Sequence, residues 1–271
     1  CLVGSEMCIR DSFNTEPKIP SLSSLTGVEQ PIDTIQIARG NPALRTYSVF
    51  NNTLNYSYMK QHFIFMLNVA HSYHKNAIME SVFAEGDKLI IMDENQRSYQ
   101  SLDFGPTLVF RSLDIGKLKN FLTVSIDGGF IRCWSNGNKY AHTHNNFYYN
   151  LAAILNYKEY SLLGQFSKNK NTLYGETIYK GENQTAVMAT YTHKRLQLGL
   201  GMMFPFTNNY KTGKERISNV APYSSWTHVK ELGQMVVLRL NYNFEFGKKY
   251  NSSKKRTNNS DRESGILNVD R

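Results

Sequence analysis

Large apolar and polar residues alternate with a period of two along most of the chain beyond position 45. The segment near the end is the clearest. Val236, Leu238, Leu240, Tyr242, Phe244 and Phe246 are all large and apolar, and Arg239, Asn241, Asn243 and Glu245 lie between them. Side chains of a β-strand point alternately to opposite faces, so this pattern predicts a strand with one greasy and one polar face. Residues 195–205 repeat it: Leu196, Leu198, Leu200, Met202 and Phe204 share one face, with Arg195, Gln197, Gly199 and Gly201 on the other. Residues 120–132 set Leu122, Val124, Ile126 and Phe130 against Thr123, Ser125 and Asp127. Residues 147–157 align Phe147, Tyr149, Leu151, Ala153, Leu155 and Tyr157. Residues 45–59, 62–74, 100–111, 160–167 and 185–193 alternate less regularly. No segment shows helical periodicity.

Connection lengths add a second pattern. Lys60-Gln61, Lys158-Glu159 and His193-Lys194 are very short links, whereas residues 75–98, 135–145, 168–183 and 207–231 read as long polar loops, with a medium link at 112–119. Short turns on one side and long loops on the other are the habit of membrane barrels. Tyr56, Tyr58, Phe63, Phe110, Tyr157, Tyr160, Tyr191, Tyr242, Phe244 and Phe246 gather near the short-link ends or the end of the last strand. There they would form an aromatic girdle at a membrane–water interface. The fold expected is all-β: an antiparallel up-and-down transmembrane β-barrel, represented by about nine strands of a larger barrel. Val236, Leu238, Leu240, Tyr242, Phe244, Phe246, Leu196, Leu198, Leu200 and Met202 are its expected lipid-facing residues. Alternation alone does not separate such a barrel from a soluble β-sandwich, and a complete small barrel with a structural or adhesive role is a further alternative.

Composition fits this picture. The hydrophobic fraction is 41%, with Tyr 17 and Phe 15, while mean hydropathy is -0.45. A polar average rich in aromatics suits strands that alternate between lipid and lumen. No run of 18 apolar residues is present, which excludes an ordinary transmembrane helix. The net charge of +9 comes partly from a basic tail containing Lys248, Lys249, Lys254, Lys255, Arg256 and Arg262. A nucleic-acid partner would need a folded basic face or motif, and neither is found. Residues 1–12 resemble the translation of a transposase sequencing adapter, with Glu6 to Asp11 matching its core, and are set aside from fold reasoning. Residues 13–44, with Pro17, Pro20 and Pro31, read as loop with a partial strand; 45–247 as the barrel; 248–271 as a flexible periplasmic tail.

Gly40-Asn41-Pro42-Ala43-Leu44-Arg45 resembles the segment that precedes a late barrel strand in TonB-dependent outer-membrane receptors. The stretch from Leu240 to Tyr250, the tail from Lys254 to Ser260, and Ile178-Tyr179-Lys180-Gly181-Glu182-Asn183 resemble the same superfamily, in particular barrels found behind a carboxypeptidase-regulatory-like domain. The resemblance covers about residues 32–260. It implies a plugged barrel in the outer membrane of a Gram-negative bacterium, with energised uptake of a ligand. It also implies three partners: outer-membrane lipid, an energy-transducing TonB-type inner-membrane protein acting through a plug, and the barrel-assembly machinery. No enzyme activity and no cofactor are implied, and no family site residue transfers.

The remaining chemistry is sparse. His71 and His74 are three apart, so a strand puts them on opposite faces and they do not share a metal. His142 and His144 share a face in a predicted outer loop, with Cys133 at its other end. Asp127, Arg132, Arg195, Arg239 and Glu245 are expected to point into the lumen. Trp134 and Trp226 fall in or near outer loops, where exposed rings stack on sugars or protein ligands. No phosphate-binding loop or nucleophile–base constellation is present.

Overall fold

The computed structural model describes residues 7–244. Strand β1 (Met7–Lys18) is followed by a one-turn helix α1 (Leu22–Leu25) and two short strands, β2 (Glu29–Pro31) and β3 (Gln36–Arg39). Two long strands come next, β4 (Tyr47–Lys60) and β5 (Phe63–Lys75), then β6 (Ile78–Glu85) and β7 (Lys88–Asn95). Strands β8 (Ser98–Ile115), β9 (Leu118–Asn136) and β10 (Ala141–Tyr157) are the longest. Then follow β11 (Tyr160–Lys168), β12 (Thr172–Tyr174), β13 (Thr177–Lys180), β14 (Gln184–His193) and β15 (Leu196–Met203). The described part ends with β16 (Tyr210–Arg216), β17 (Tyr223–Val229), one 3-10 turn (Lys230–Leu232) and β18 (Met235–Tyr242).

Ten strands form one antiparallel meander in the order β1-β4-β5-β8-β9-β10-β11-β14-β15-β18. Consecutive members are joined at one end by two-residue turns: Gln61-His62, Gly116-Lys117, Lys158-Glu159 and Lys194-Arg195. Lys158 and Lys194 take the left-handed conformation at φ 52 and φ 51, which tight hairpin turns require. At the other end, four of the longer connections carry strands that build two four-stranded sheets, β2-β3-β7-β6 and β12-β13-β16-β17. All strand pairs are antiparallel except β3 with β7. The protein is therefore all-β. Among the described residues the large sheet is open: β1 and β18 are its edges and do not pair with each other.

The registers give the large sheet two distinct faces. Tyr242, Leu240, Leu238 and Val236 stand opposite Leu196, Leu198, Leu200 and Met202. Tyr191 and Val187 of β14 continue the row, as do Leu162 and Phe166 of β11. Leu151 and Leu155 of β10 pair with Ile126 and Leu122 of β9, and Leu108 pairs with Ile126 and with Phe65. Tyr56 of β4 and Ile9 of β1 complete an apolar face that crosses all ten strands. The predicted lipid-facing residues within strands all fall on it; Phe244 lies just beyond the end of β18, and Phe246 lies outside the described residues. Leu238 is 81% exposed and Leu240 71%. The aromatic residues cluster near the two-residue turns as expected, with ring centroids 5.3 Å apart for Phe63 and Phe110 and 5.0 Å for Tyr160 and Tyr191.

The opposite face is polar and hydrogen-bonded across strands. Asn150 donates to Asp127 at 2.9 Å and Gln165 to Asn150 at 2.9 Å. At the loop end this face is covered by apolar side chains of the small sheets. Ala77, Met79, Leu173 and Ile178 pack on Tyr99, Ile131 and Cys133 of β8 and β9. The buried core of the molecule thus sits between the large sheet and its own connections.

Several expectations need correction. The link at 112–119 is not a medium loop: β8 and β9 extend to a two-residue turn through a register shift near Leu113. Residues 135–145 are not a long loop either, because the strands continue to Asn136 and from Ala141. Residues 13–31 are not simply loop, since β1 pairs with β4 in unbroken register from Met7 to Lys18. Met7, Ile9 and Phe13 alternate onto one face of β1. Pro17 is tolerated because β1 is an edge strand. Pro106 causes no bulge: Phe104 pairs with Phe130 and Thr107 with Asp127 in constant register, so the ladder merely skips two residues. Proline has no N–H to donate, and its place on the apolar face opposite Leu67 leaves the strand intact.

Candidate functional site at the loop end of the sheet

Two small sheets stand over the polar face, and specific side chains tie them together. Sheet β2-β3-β7-β6 is anchored through the Gly40 to Arg45 segment. The backbone N–H of Asn41 donates to the Ser24 carbonyl at 2.6 Å, and its side chain donates to the Asp93 carbonyl at 3.0 Å. Asn95 accepts from the Arg45 N–H at 2.8 Å and donates to the Arg45 carbonyl at 3.0 Å. Leu44 is buried. The motif that carried the family resemblance therefore works as a clamp between the start of β4 and the β6–β7 hairpin.

The two small sheets meet through Arg216 of β16 and Glu80 of β6, which form an ion pair around an almost fully buried guanidinium. The Tyr174 hydroxyl donates to the Ile78 carbonyl at 2.8 Å and strengthens the junction. Burial pushes the Tyr174 hydroxyl well above its ordinary range. His142 of β10 contacts Glu176, in the turn between β12 and β13, at 3.2 Å, with Tyr140 stacked on the imidazole at 5.2 Å. Burial raises the Tyr140 phenol to about 12; a hydrogen bond with Ser135 opposes the shift and the carboxylates of Glu176 and Glu94 add to it.

A pocket of mixed character and about 200 Å³ lies at this junction, lined by Ser81, Val82, Phe83, Gln96, Tyr140 and Glu176 among others. Gln96 is buried, donates to Ser81 at 2.5 Å and accepts from the Asn138 N–H at 2.6 Å. On the outer part of the second sheet, Lys180 and Lys211 approach the Trp226 ring at 5.9 and 5.3 Å, Lys214 approaches Tyr179 at 5.5 Å, and Arg216 lies 4.6 Å over Tyr223.

The histidines distribute as their spacing requires. His71 lies on the apolar face of β5, opposite Leu102, while His74 faces the other way and meets the Tyr99 ring edge-on at 5.1 Å. His142 and His144 share a face, but on strand β10 rather than in a loop. Cys133 is buried, and the Tyr99 hydroxyl points at its sulfur at 3.6 Å. Among the described residues no group of three or more His, Cys, Asp or Glu side chains is placed to hold a metal.

Of the residues expected to face a lumen, Asp127 and Arg239 lie on the polar face, Arg195 lies in a turn, and Glu245 falls outside the described residues. Arg132 is a correction. It is two residues from Phe130 and opposite Leu102, hence on the apolar face, where its guanidinium covers the Trp134 ring at 5.1 Å. Sequence reasoning missed the cap itself. Residues 78–85 and 210–216 carry no regular apolar–polar alternation that would reveal its strands.

The fold and the two-faced sheet define the class: an antiparallel β-sheet protein with one exposed apolar face and folded connections. Comparison with known protein families finds no matching family model, and comparison with curated proteins finds no significant match.

Proposed function

We propose that this chain forms part of the wall of a transmembrane β-barrel in a bacterial outer membrane, of the TonB-dependent-receptor type, serving uptake of a ligand. The observation that carries the reading is the apolar face continuous over ten neighbouring strands, on which Leu200, Val236, Leu238 and Leu240 are all more than half exposed. A lipid phase solvates such a face, whereas water does not. Strict alternation of two-residue turns and longer connections supports it, as does the aromatic clustering at the turn end. Backbone groups in lipid must be paired, so the edges β1 and β18 would join each other or further strands. Outer-membrane lipid, the assembly machinery and a TonB-type inner-membrane protein acting through a plug are the partners this reading carries, with the tail in the periplasm.

The test is depth-dependent quenching of single tryptophans by brominated lipids. Leu200→Trp and Leu238→Trp should be quenched and Gln197→Trp spared; equal protection of all three would sink the proposal. A second reading, in which another sheet packs on the apolar face as in a sandwich, draws on a trough of about 830 Å³ lined by Leu155, Tyr160, Tyr191, Leu200 and Leu238. It requires a monomer soluble without detergent.

A further inference from the structure

The sheet formed by β12, β13, β16 and β17 carries a face whose chemistry the barrel wall does not need. Its registers align three rows of side chains. Tyr179 stands opposite Lys214, which stands opposite Ser225. On one side of that row lie Thr212 and Thr227, on the other Arg216 and Tyr223. All of these except the buried Arg216 line a shallow concavity of about 410 Å³.

The charge balance is one-sided. Of the charged residues in strands β13, β16 and β17, Lys214 and Arg216 lie on this face, and Lys180, Lys211 and the single acid, Glu215, on the opposite one. Glu215 is taken up by Lys180, and Glu80, brought in from β6, by Arg216. Lys214 lies on a tyrosine ring and makes no ion pair with a described residue. Among the described residues two cation–ring contacts lie on this face, Lys214 on Tyr179 and Arg216 on Tyr223, while Lys180 and Lys211 reach Trp226 on the opposite face. Tyr179 and Tyr223 are both exposed, and no carboxylate lines the concavity.

We propose that this face binds a saccharide bearing carboxylate or phosphate groups. Exposed tyrosine faces offer stacking surfaces for the C–H faces of a sugar ring. The row of Thr212, Thr227 and Ser225 exchanges hydrogen bonds with its hydroxyls, each group able both to donate and to accept. The Lys214 ammonium supplies a charge-assisted contact to the acid group. The role of this site in uptake rests on the receptor reading above; the binding itself does not require a bilayer.

The experiment is calorimetric titration of the full chain in neutral detergent micelles. The probes are a galacturonate hexamer, a neutral glucose hexamer and phosphatidylglycerol vesicles. The acidic oligomer should bind at least roughly tenfold more tightly than the neutral one. Lys214→Gln should weaken that binding by roughly tenfold. Lys214→Arg should restore it, and Lys117→Gln, in a turn at the far end of the sheet, should leave it unchanged. Absence of acidic-oligomer binding, equal affinity for the neutral oligomer, or an equal loss in Lys117→Gln would overturn the assignment. Preference for the vesicles over the oligomer would overturn it too, in favour of a lipid headgroup. Circular dichroism checks that each variant folds, and the tryptophan-quenching series reads membrane insertion separately, so the two proposals fail independently.

Discussion

The Tyr148 hydroxyl donates to the Asp103 carboxylate at 2.6 Å although their strands, β10 and β8, are separated by β9. The ring crosses the intervening strand at Gly129, its direct partner in the register. A Cβ at Gly129 would sit 2.2 Å from the tyrosine ring. Lys170, from the link after β11, pairs with Asp103 and lies 5.0 Å over the same ring. One tyrosine thus ties together three strands and a connection on the polar face, and a glycine makes room for it.

Replacing Gly129 should therefore do more harm than removing the hydroxyl it accommodates. Tyr148→Phe keeps the ring and leaves Asp103 its lysine, so its expected cost is about 1 kcal/mol. Gly129→Val drives a side chain into the ring, with an expected cost of about 2–3 kcal/mol. Denaturant unfolding in micelles would rank the two. Equal effects would mean the ring does not need the glycine.

The two faces of β15 make a sharper contrast. Leu200 is exposed on the apolar face, and Gln197 lies on the polar one, where it accepts from Asn241 at 2.9 Å. An arginine on the lipid face near mid-bilayer costs about 2–4 kcal/mol, whereas lumen substitutions cost little. Leu200→Arg should lower folding yield into vesicles, and Gln197→Arg should fold nearly as well as the parent chain. A sandwich with a second sheet on the apolar face would also suffer from Leu200→Arg, but would show it without lipid.

Much of this architecture is legible in the residues, and the failures have physical reasons. Long strands announce themselves because one face stays apolar over many residues: the register pairs Leu198 with Leu240 and Leu200 with Leu238, as their alternation implied. The cap is harder to read. Strands such as β12 and β13, at three and four residues, are too short for a period to show, and their burial depends on distant elements. Leu173 and Ile178 look like ordinary loop residues until Met79 and Cys133 are brought against them. The cluster of cations on aromatic rings was equally hidden. Trp226 stood out, but Lys211 and Lys180 reach it only through cross-strand registers that no local pattern specifies. Arg132 shares its parity with Phe130 and so lies on the apolar face, against what its charge alone suggests.

Gly40 tests whether the family-like motif is structural. A Cβ there would lie 1.8 Å from the Thr26 carbonyl oxygen, which is backbone and cannot rotate away. Gly40→Ala must therefore displace the chain around α1 and loosen the neighbouring Asn41 bonds to Ser24 and Asp93. The expected cost is about 2–3 kcal/mol, confined to the cap. Hydrogen exchange should quicken in β3, β6 and β7 while β14, β15 and β18 stay protected. Uniform acceleration across the large sheet would show that the cap and the wall unfold together.

Tyr140 gives the cap a pH limit. Burial holds its phenol neutral in the folded state up to about 12, against an ordinary value of 10.0, with Glu176 and Glu94 adding to the effect and a Ser135 hydrogen bond opposing it. A pKa raised on folding contributes stability that is complete below the unfolded value and disappears as pH climbs through the folded one. The cap should therefore weaken between pH 10 and about 12, as the unfolded chain ionises at this residue and the folded chain resists. Tyr140→Phe removes the titrating group and keeps the ring stacked on His142. Other buried tyrosines titrate in both proteins, so the difference between parent and variant isolates this residue. The measurement is unfolding free energy of each across that window. A parent curve falling no more steeply than that of Tyr140→Phe would show that the phenol ionises as easily in the folded cap as in the unfolded chain.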